Sequence, residues 1–252
     1  MRAAALATVA ALVLLLAACG GNDSGKPELT VSAAASLNQA FTTYGKQFDD
    51  ATVRFSFAGS DELAAQIEQG VKPDVYAAAN TKLPDQLHAK GLVEKPVVFA
   101  GNRLVLAVPK GSSIASLADV EQPGVTLAIG SASVPVGSYT RTVLDQLPAS
   151  KRKAILANVR SEEPDVAGIV GKLTQGAVDA GFVYRSDVQA TNGRLEAIDL
   201  PASLEPEVAY GVAVVKGAQH PQQARAFVQG LLSGAGRQAL QDAGFEPPPA
   251  SK

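Results

Sequence analysis

Two serines, Ser36 and Ser60, each stand where an apolar strand pattern gives way to a helical one. Leu29-Thr30-Val31-Ser32 reads as a strand, and Leu37, Ala40, Phe41, Tyr44 and Phe48 follow at helical spacing. Ser36 therefore falls at the expected helix N-cap, with Ala33-Ala34-Ala35 leaving the helix mouth uncovered. Val53–Phe57 alternates as a second strand, and Ala58-Gly59-Ser60 turns from it into a helix over Asp61–Gln69. Two more junctions have the same form. Val134-Pro135-Val136-Gly137 follows the strand Val125–Ile129, and a proline in the first helical turn leaves the Val136 and Gly137 amides open. Asp165-Val166-Ala167-Gly168 opens another helix, with Asp165 as its N-cap. Tyr184 ends the strand Ala180–Tyr184. Serine and tyrosine hydroxyls and helix-mouth amides are neutral donors, and helix dipoles add positive potential. None of the junctions themselves, Ala33–Ser36, Ala58–Ser60, Val134–Gly137, Asp165–Gly168 and Tyr184, contributes a Lys, Arg or His. Their shared chemistry is the binding of a small oxyanion by hydrogen bonds, without ion pairing. Capping alone accounts for each serine taken singly. The recurrence of the junction is what points to one site.

The elements that must position these groups alternate along the chain. Asp74–Ala79 is a strand, followed by a helix over Thr81–Lys90 that Gly91 stops. Leu104–Val108 is a strand ending at Pro109. The helix opened by Pro135 runs to about Leu147, and helical pattern returns over Val166–Gln175. Val208–Val215 is a strand, and helices over Pro221–Leu232 and Gly236–Ala243 finish the chain. Strands separated by single helices predict an α/β class with mainly parallel sheets. In such sheets ligands bind at the carboxyl ends of the strands.

Several function classes lack their residues. There is no Gly-x-Ser-x-Gly and no His-Glu-x-x-His. The two histidines, His88 and His220, sit in a helix and before Pro221, where exposed surface roles are expected. No enzyme is predicted and no cofactor. A metal-cation site needs clustered His, Cys or carboxylates, and only Asp61 and Glu62 hint at one.

The N-terminus carries its own signal. Arg2 precedes an apolar run, Ala3–Ala18, which is short for a membrane span. It ends Leu16-Ala17-Ala18-Cys19-Gly20-Gly21, which resembles the lipobox of bacterial lipoproteins. The resemblance implies a signal peptide over 1–18 and a lipid on Cys19, the chain's one cysteine, so no intramolecular disulfide forms. Residues 19–27 then form a flexible tether of Gly, Asn, Asp, Ser and Lys ending in Pro27. Without residues 1–18, 21 basic residues face 24 acidic ones, a net charge of −3. That balance excludes a nucleic-acid partner and a polybasic membrane surface. No later apolar run is long enough to span a bilayer.

The order and spacing of several motifs carry a wider resemblance over nearly all of residues 28–245. These are Thr30–Leu37, Ser56-Phe57-Ala58-Gly59-Ser60, Pro73–Ala78, Gly101–Leu106, Val134-Pro135, Val183–Asp187 and Ala224–Val228. The chain resembles the molybdate-binding component of bacterial ABC transporters, a family of the type II periplasmic-binding-protein fold. The resemblance implies two lobes, each a mainly parallel sheet flanked by helices, with the ligand in the cleft between them. Lobe one would be 28–101 and 208–252, and lobe two 102–207. The anion ligands would be the hydroxyls of Ser36, Ser60 and Tyr184 and the amides of Val136 and Val166. The ligand would be molybdate or tungstate, ions of nearly equal size and charge that the same donors serve. Sulfate or thiosulfate is the alternative oxyanion, and a metal-cation-binding lipoprotein the remoter one. The implied partners are a transporter permease and, through it, the ATPase. The protein would be a monomer, exported and held to the outer face of the cell membrane by its lipid alone. Asp61 departs from the family, whose members commonly carry a neutral residue beside the second serine. Its charge either flanks and opposes the anion or faces solvent and serves only its helix dipole.

Replacing Cys19 by alanine is expected to move the protein from the detergent to the aqueous phase, or to leave its leader uncleaved. Equal aqueous partitioning of wild type and Cys19→Ala would remove the lipid anchor.

Overall fold

The computed structural model describes residues 25–250; the leader and Cys19 lie outside the described residues. The first sheet is assembled from β1 (Glu28–Ala34), β2 (Thr52–Ala58), β3 (Val75–Ala78), β4 (Val97–Asn102) and β10 (Val208–Val214), in the order β2-β1-β3-β10-β4. The second holds β5 (Leu104–Pro109), β6 (Leu127–Gly130), β7 (Val159–Glu163), β8 (Ala180–Tyr184) and β9 (Leu195–Asp199), in the order β7-β6-β8-β5-β9. Helices α1 (Asn38–Gln47), α2 (Ser60–Glu68), α3 (Lys82–Ala89), α8 (Pro221–Ser233) and α9 (Ala235–Asp242) flank the first sheet. Helices α4 (Pro135–Asp145), α5 (Ala149–Ala157), α6 (Val166–Thr174) and α7 (Arg185–Ala190) belong to the second. The fold is α/β with two lobes.

Both sheets are mixed. β1 pairs in parallel with β2 and β3, and β6 with β7 and β8. β10 is antiparallel to both of its neighbours, and so is β5. Each sheet thus has one strand running against the other four, and it is the strand that has just crossed from the other lobe. The chain passes from β4 to β5 through Arg103 alone and returns from β9 to β10 over residues 200–207. No crossover helix precedes either strand, so nothing forces it into the parallel direction.

The two orders superpose, with β1 matching β6, β2 matching β7 and β3 matching β8. A repeated polar clamp marks the match. Asp74 Oδ2, just before β3, accepts from Thr30 N at 2.8 Å and Thr30 Oγ1 at 2.9 Å, while Asp74 N donates to Thr30 Oγ1 at 3.1 Å. Asp179, just before β8, does the same with Thr126 at 2.8, 2.7 and 3.1 Å. Asp74 is buried and also accepts from His220 N at the start of α8. Asp179 is exposed.

Packing follows from the apolar faces. Phe227 on α8 meets Phe41, Tyr44 and Phe48, with ring centroids 5.6, 4.6 and 5.4 Å away. Those three are the helical-spacing residues read from sequence, so α1 and α8 close over the first sheet. Ile169 and Leu173 of α6 pack with Leu127 and Phe182 in the same buried core on the second. β4, β7 and β9 have no counterpart in the sequence reading. All three are edge strands, and β7 (Val-Arg-Ser-Glu-Glu) and β9 (Leu-Glu-Ala-Ile-Asp) are partly solvated, so they lack a core strand's apolar run.

Asp74→Ala strands three donors in a buried setting and should cost about 2–3 kcal/mol of unfolding free energy. Asp179→Ala, whose donors reach water, should cost less than about 1 kcal/mol. Urea unfolding of the two variants checks the order; equal losses would show that burial does not set the clamp's value.

Candidate functional site

The carboxyl ends of β1, β2 and β3 face those of β6, β7 and β8, and a small cavity lies between them. It is lined by Ala34, Ala35 and Ser36 at the end of β1; Ala58, Gly59 and Ser60 at the end of β2; and Ala79 after β3. From the other lobe come Val134, Pro135 and Val136 after β6, Asp165 and Val166 after β7, and Tyr184 at the end of β8. Ser36, Ser60, Val136, Val166 and Tyr184 are thus brought to one wall-to-wall site. Among the described residues no Lys, Arg or His lines it. The cavity volume is about 20 Å³, little more than one water requires, which suits a compact ion and not an extended organic solute.

Neither serine caps a helix, contrary to the N-cap expected for Ser36. Ala35–Leu37 forms a 3₁₀ turn, α1 starts at Asn38, and no side-chain cap bond is made. Ser36 Oγ instead lies 2.9 Å from the Tyr210 hydroxyl. Ser60 is the first residue of α2, with Gly59 at the N-cap. Its Oγ accepts from Ala79 N at 3.1 Å, and its carbonyl accepts from the Tyr76 hydroxyl at 2.7 Å. Accepting from an N–H turns the Ser60 proton elsewhere, and the cavity is the open direction.

The amides come from helix first turns. Pro135 is the first residue of α4, and the helical ladder begins with Ser138 N donating to Val134 O. Val136 N–H therefore has no partner within its helix. Asp165 caps α6 as the sequence predicts, its Oδ1 accepting from Gly168 N at 2.9 Å. That bond directs the Asp165 carboxylate at its own helix and leaves the Val166 amide at the cavity wall.

Tyr184 is buried, and its hydroxyl has no hydrogen-bond partner. Burial pushes the phenol well above its usual range, so it stays a neutral donor. Asp187, buried behind it, accepts from Tyr184 N at 2.9 Å. Burial pushes that carboxyl up to about 7, with the Tyr184 amide pulling it down and the charge of Asp165 adding to the rise.

Asp61 does not line the cavity. It is half-buried in the first turn of α2, and its Oδ1 is enclosed without a hydrogen-bond partner. It leans over Gly59, where an added Cβ would lie 2.9 Å from Asp61 Oδ1 and 2.5 Å from the carbonyl oxygen of Pro164 in the other lobe. Gly59 has a φ of −58°, so the turn does not require glycine; the close approach of the second lobe does. Among the described residues no group of three or more His, Cys, Asp or Glu could hold a metal ion. Sequence reasoning missed Tyr210, Asn102 and Tyr76, the buried groups behind the serines. Each lies in a strand, where a tyrosine or asparagine leaves no mark that separates support from core.

A family model described as bacterial extracellular solute-binding protein matches residues 29–246. The molybdate-binding protein ModA of Mycobacterium tuberculosis is 36% identical over 255 residues, covering 95% of each chain. Among solved structures, the periplasmic molybdate-binding protein of Azotobacter vinelandii aligns with a TM-score of 0.78 at 19% identity, over 87% of this chain and 99% of that one. The sulfate-binding protein SubI of Mycobacterium tuberculosis also aligns at 0.78, with 17% identity, over 88% and 87%. The fold by itself therefore does not choose between these anions. The chain belongs to the bacterial extracellular solute-binding protein family.

Proposed function

We propose that this protein captures molybdate, and tungstate with it, outside the cytoplasm and delivers it to an ABC transporter. The Tyr184 hydroxyl carries the reading: a buried donor with no acceptor in the protein, facing a cavity that also receives Ser36, Ser60, Val136 and Val166. A polar group left in that condition costs about 1–3 kcal/mol, and a bound oxyanion would supply the missing acceptor. Similarity over almost the whole chain to molybdate-binding relatives supports the choice of anion. The protein binds its solute and does no chemistry on it. Lobe one offers two hydroxyls, and lobe two offers two amides and a phenol. An anion touching both sets favours the arrangement in which the lobes meet, and a permease with its ATPase can read that state as occupancy. A lipid on Cys19 would hold the monomer at the membrane's outer face, consistent with the lipobox resemblance. Among the described residues no helix is long and apolar enough to cross a membrane.

Calorimetric titration of the soluble domain should show tight binding of molybdate and tungstate and weak or no binding of sulfate. At about 100 times the dissociation constant the ligand adds ~2.7 kcal/mol to unfolding stability. No thermal shift with millimolar molybdate would overturn the reading. Ser36→Ala and Ser60→Ala should each weaken binding by about 1.5–3 kcal/mol, as for a lost hydrogen bond to a charged group.

Tyr184→Phe separates stability from binding. The unliganded variant should gain about 1 kcal/mol, because an unpaired buried hydroxyl is removed, and its molybdate affinity should fall at least tenfold. A variant that loses stability and keeps affinity would show that the phenol serves the core. Asp61→Ser should tighten molybdate binding severalfold, with a smaller gain at high salt. Unchanged affinity would confine Asp61 to its helix, and abolished binding would make it a ligand group.

A further inference from the structure

We propose that Tyr210, supported by Asn102, is a positioning residue for the anion site: it fixes the Ser36 hydroxyl as a donor into the cavity. Neither residue lines the cavity. Tyr210 is fully buried, with its ring set edge-on against Phe99, Tyr184 and Phe245 at 6.2, 5.8 and 5.3 Å. Its hydroxyl has two polar neighbours, Ser36 Oγ at 2.9 Å and Asn102 Nδ2 at 3.4 Å.

The directions of these bonds follow from one another. Asn102 Oδ1 accepts from Arg103 N at 2.8 Å, which fixes the amide and presents Nδ2 to Tyr210 and, at 2.8 Å, to Ser186 Oγ. Facing an N–H, the Tyr210 oxygen is the acceptor in that contact, and its single proton has Ser36 Oγ as its acceptor. Burial holds the phenol well above its usual range, so the proton stays on Tyr210. Ser36 Oγ then accepts, and its own proton is left for the cavity. A hydroxyl that accepts from another hydroxyl is polarised and donates more strongly. Ser60 is served in the same sense by Ala79 N, so each serine has a protein donor behind it.

The chain of bonds also has a place in the fold. Asn102 ends β4 and Tyr210 lies in β10, the adjacent strands on either side of the passages between lobes. Ser36 belongs to the first lobe and Ser186, on α7, to the second. The proton arrangement at the anion is therefore anchored in both lobes at the crossing itself.

The inference rests on the oxyanion reading for what Ser36 donates to. The test is a double-mutant cycle on the soluble domain with Tyr210→Phe, Ser36→Ala and the pair, titrated with molybdate, tungstate and sulfate. Tyr210→Phe keeps the ring and its packing. It should raise the molybdate dissociation constant about three- to tenfold in wild type and less than twofold in Ser36→Ala. Asn102→Ala should give a smaller loss with the same dependence on Ser36, and it carries the test if Tyr210→Phe does not fold. Multiplicative losses, or full affinity in a folded Tyr210→Phe, would overturn the positioning role while leaving the oxyanion reading intact. Wild type binding none of the three anions would overturn both.

Discussion

An anion held without a cation must meet donors that are already in place, because every donor that has to be recruited, reoriented or stripped of water subtracts from binding. The proposed anion site would meet that requirement with backbone and hydroxyl groups at the carboxyl ends of strands. A strand end is among the stiffest places in an α/β lobe, since the ladder fixes the residue before it and a helix fixes the residue after it. Ser60, Val136 and Val166 all sit in the first turn of a helix that starts at such an end. The remaining donors, Ser36 and Tyr184, are held by the 3₁₀ turn and by the capping contact with Asp187. Fixed neutral donors would also let such a site discharge its ligand again, since no opposite charge would be left buried and bare when the anion leaves.

The repeated topology supplies these donors in matched pairs. β1 and β6 deliver Ser36 and Val136, β2 and β7 deliver Ser60 and Val166, and β3 and β8 deliver Ala79 and Tyr184. The Thr30–Asp74 and Thr126–Asp179 clamps sit at the far ends of the matched strands, below the site in both lobes. The side chains have diverged where the scaffold has not. One lobe presents hydroxyls, while the other presents amides and a phenol. The reversed strands β10 and β5 break the pattern because they are where the lobes are joined, and Tyr210 reaches Ser36 from one of them.

Much of the site could be read from the chain because strand-to-helix junctions leave marks in it. Pro135 at a first helical turn, Asp165 ahead of its helix and the short side chains before Ser36 are local choices dictated by local geometry. The role of Ser36 was misread as a cap because a 3₁₀ turn and an α-helical start share the same composition. Gly59 could be placed in a turn from sequence, yet what requires the glycine is the second lobe's Pro164 carbonyl, more than a hundred residues away. The same distance hides Tyr210 and Asn102, whose partners lie 174 and 108 positions from Tyr210 along the chain. The edge strands β7 and β9 were illegible for another reason: a strand with one neighbour needs less apolar surface, so its pattern fades into that of a loop.

The seam at Gly59 has a kinetic meaning. The lobes touch there through main chain, a glycine on one side and a peptide carbonyl on the other. Asp61 and Val134 side chains flank the contact, but the glycine and the carbonyl themselves have no rotamer to change. If the lobes hinge at the two passages, Arg103 and 200–207, exchange at that edge would follow their separation. Such hinge motions belong to the microsecond-to-millisecond range, whereas side-chain gates turn in picoseconds to nanoseconds. On that picture the residence time of a bound solute would be set by backbone mechanics at the joints, and a transporter gripping one lobe and twisting the other would have direct leverage on it.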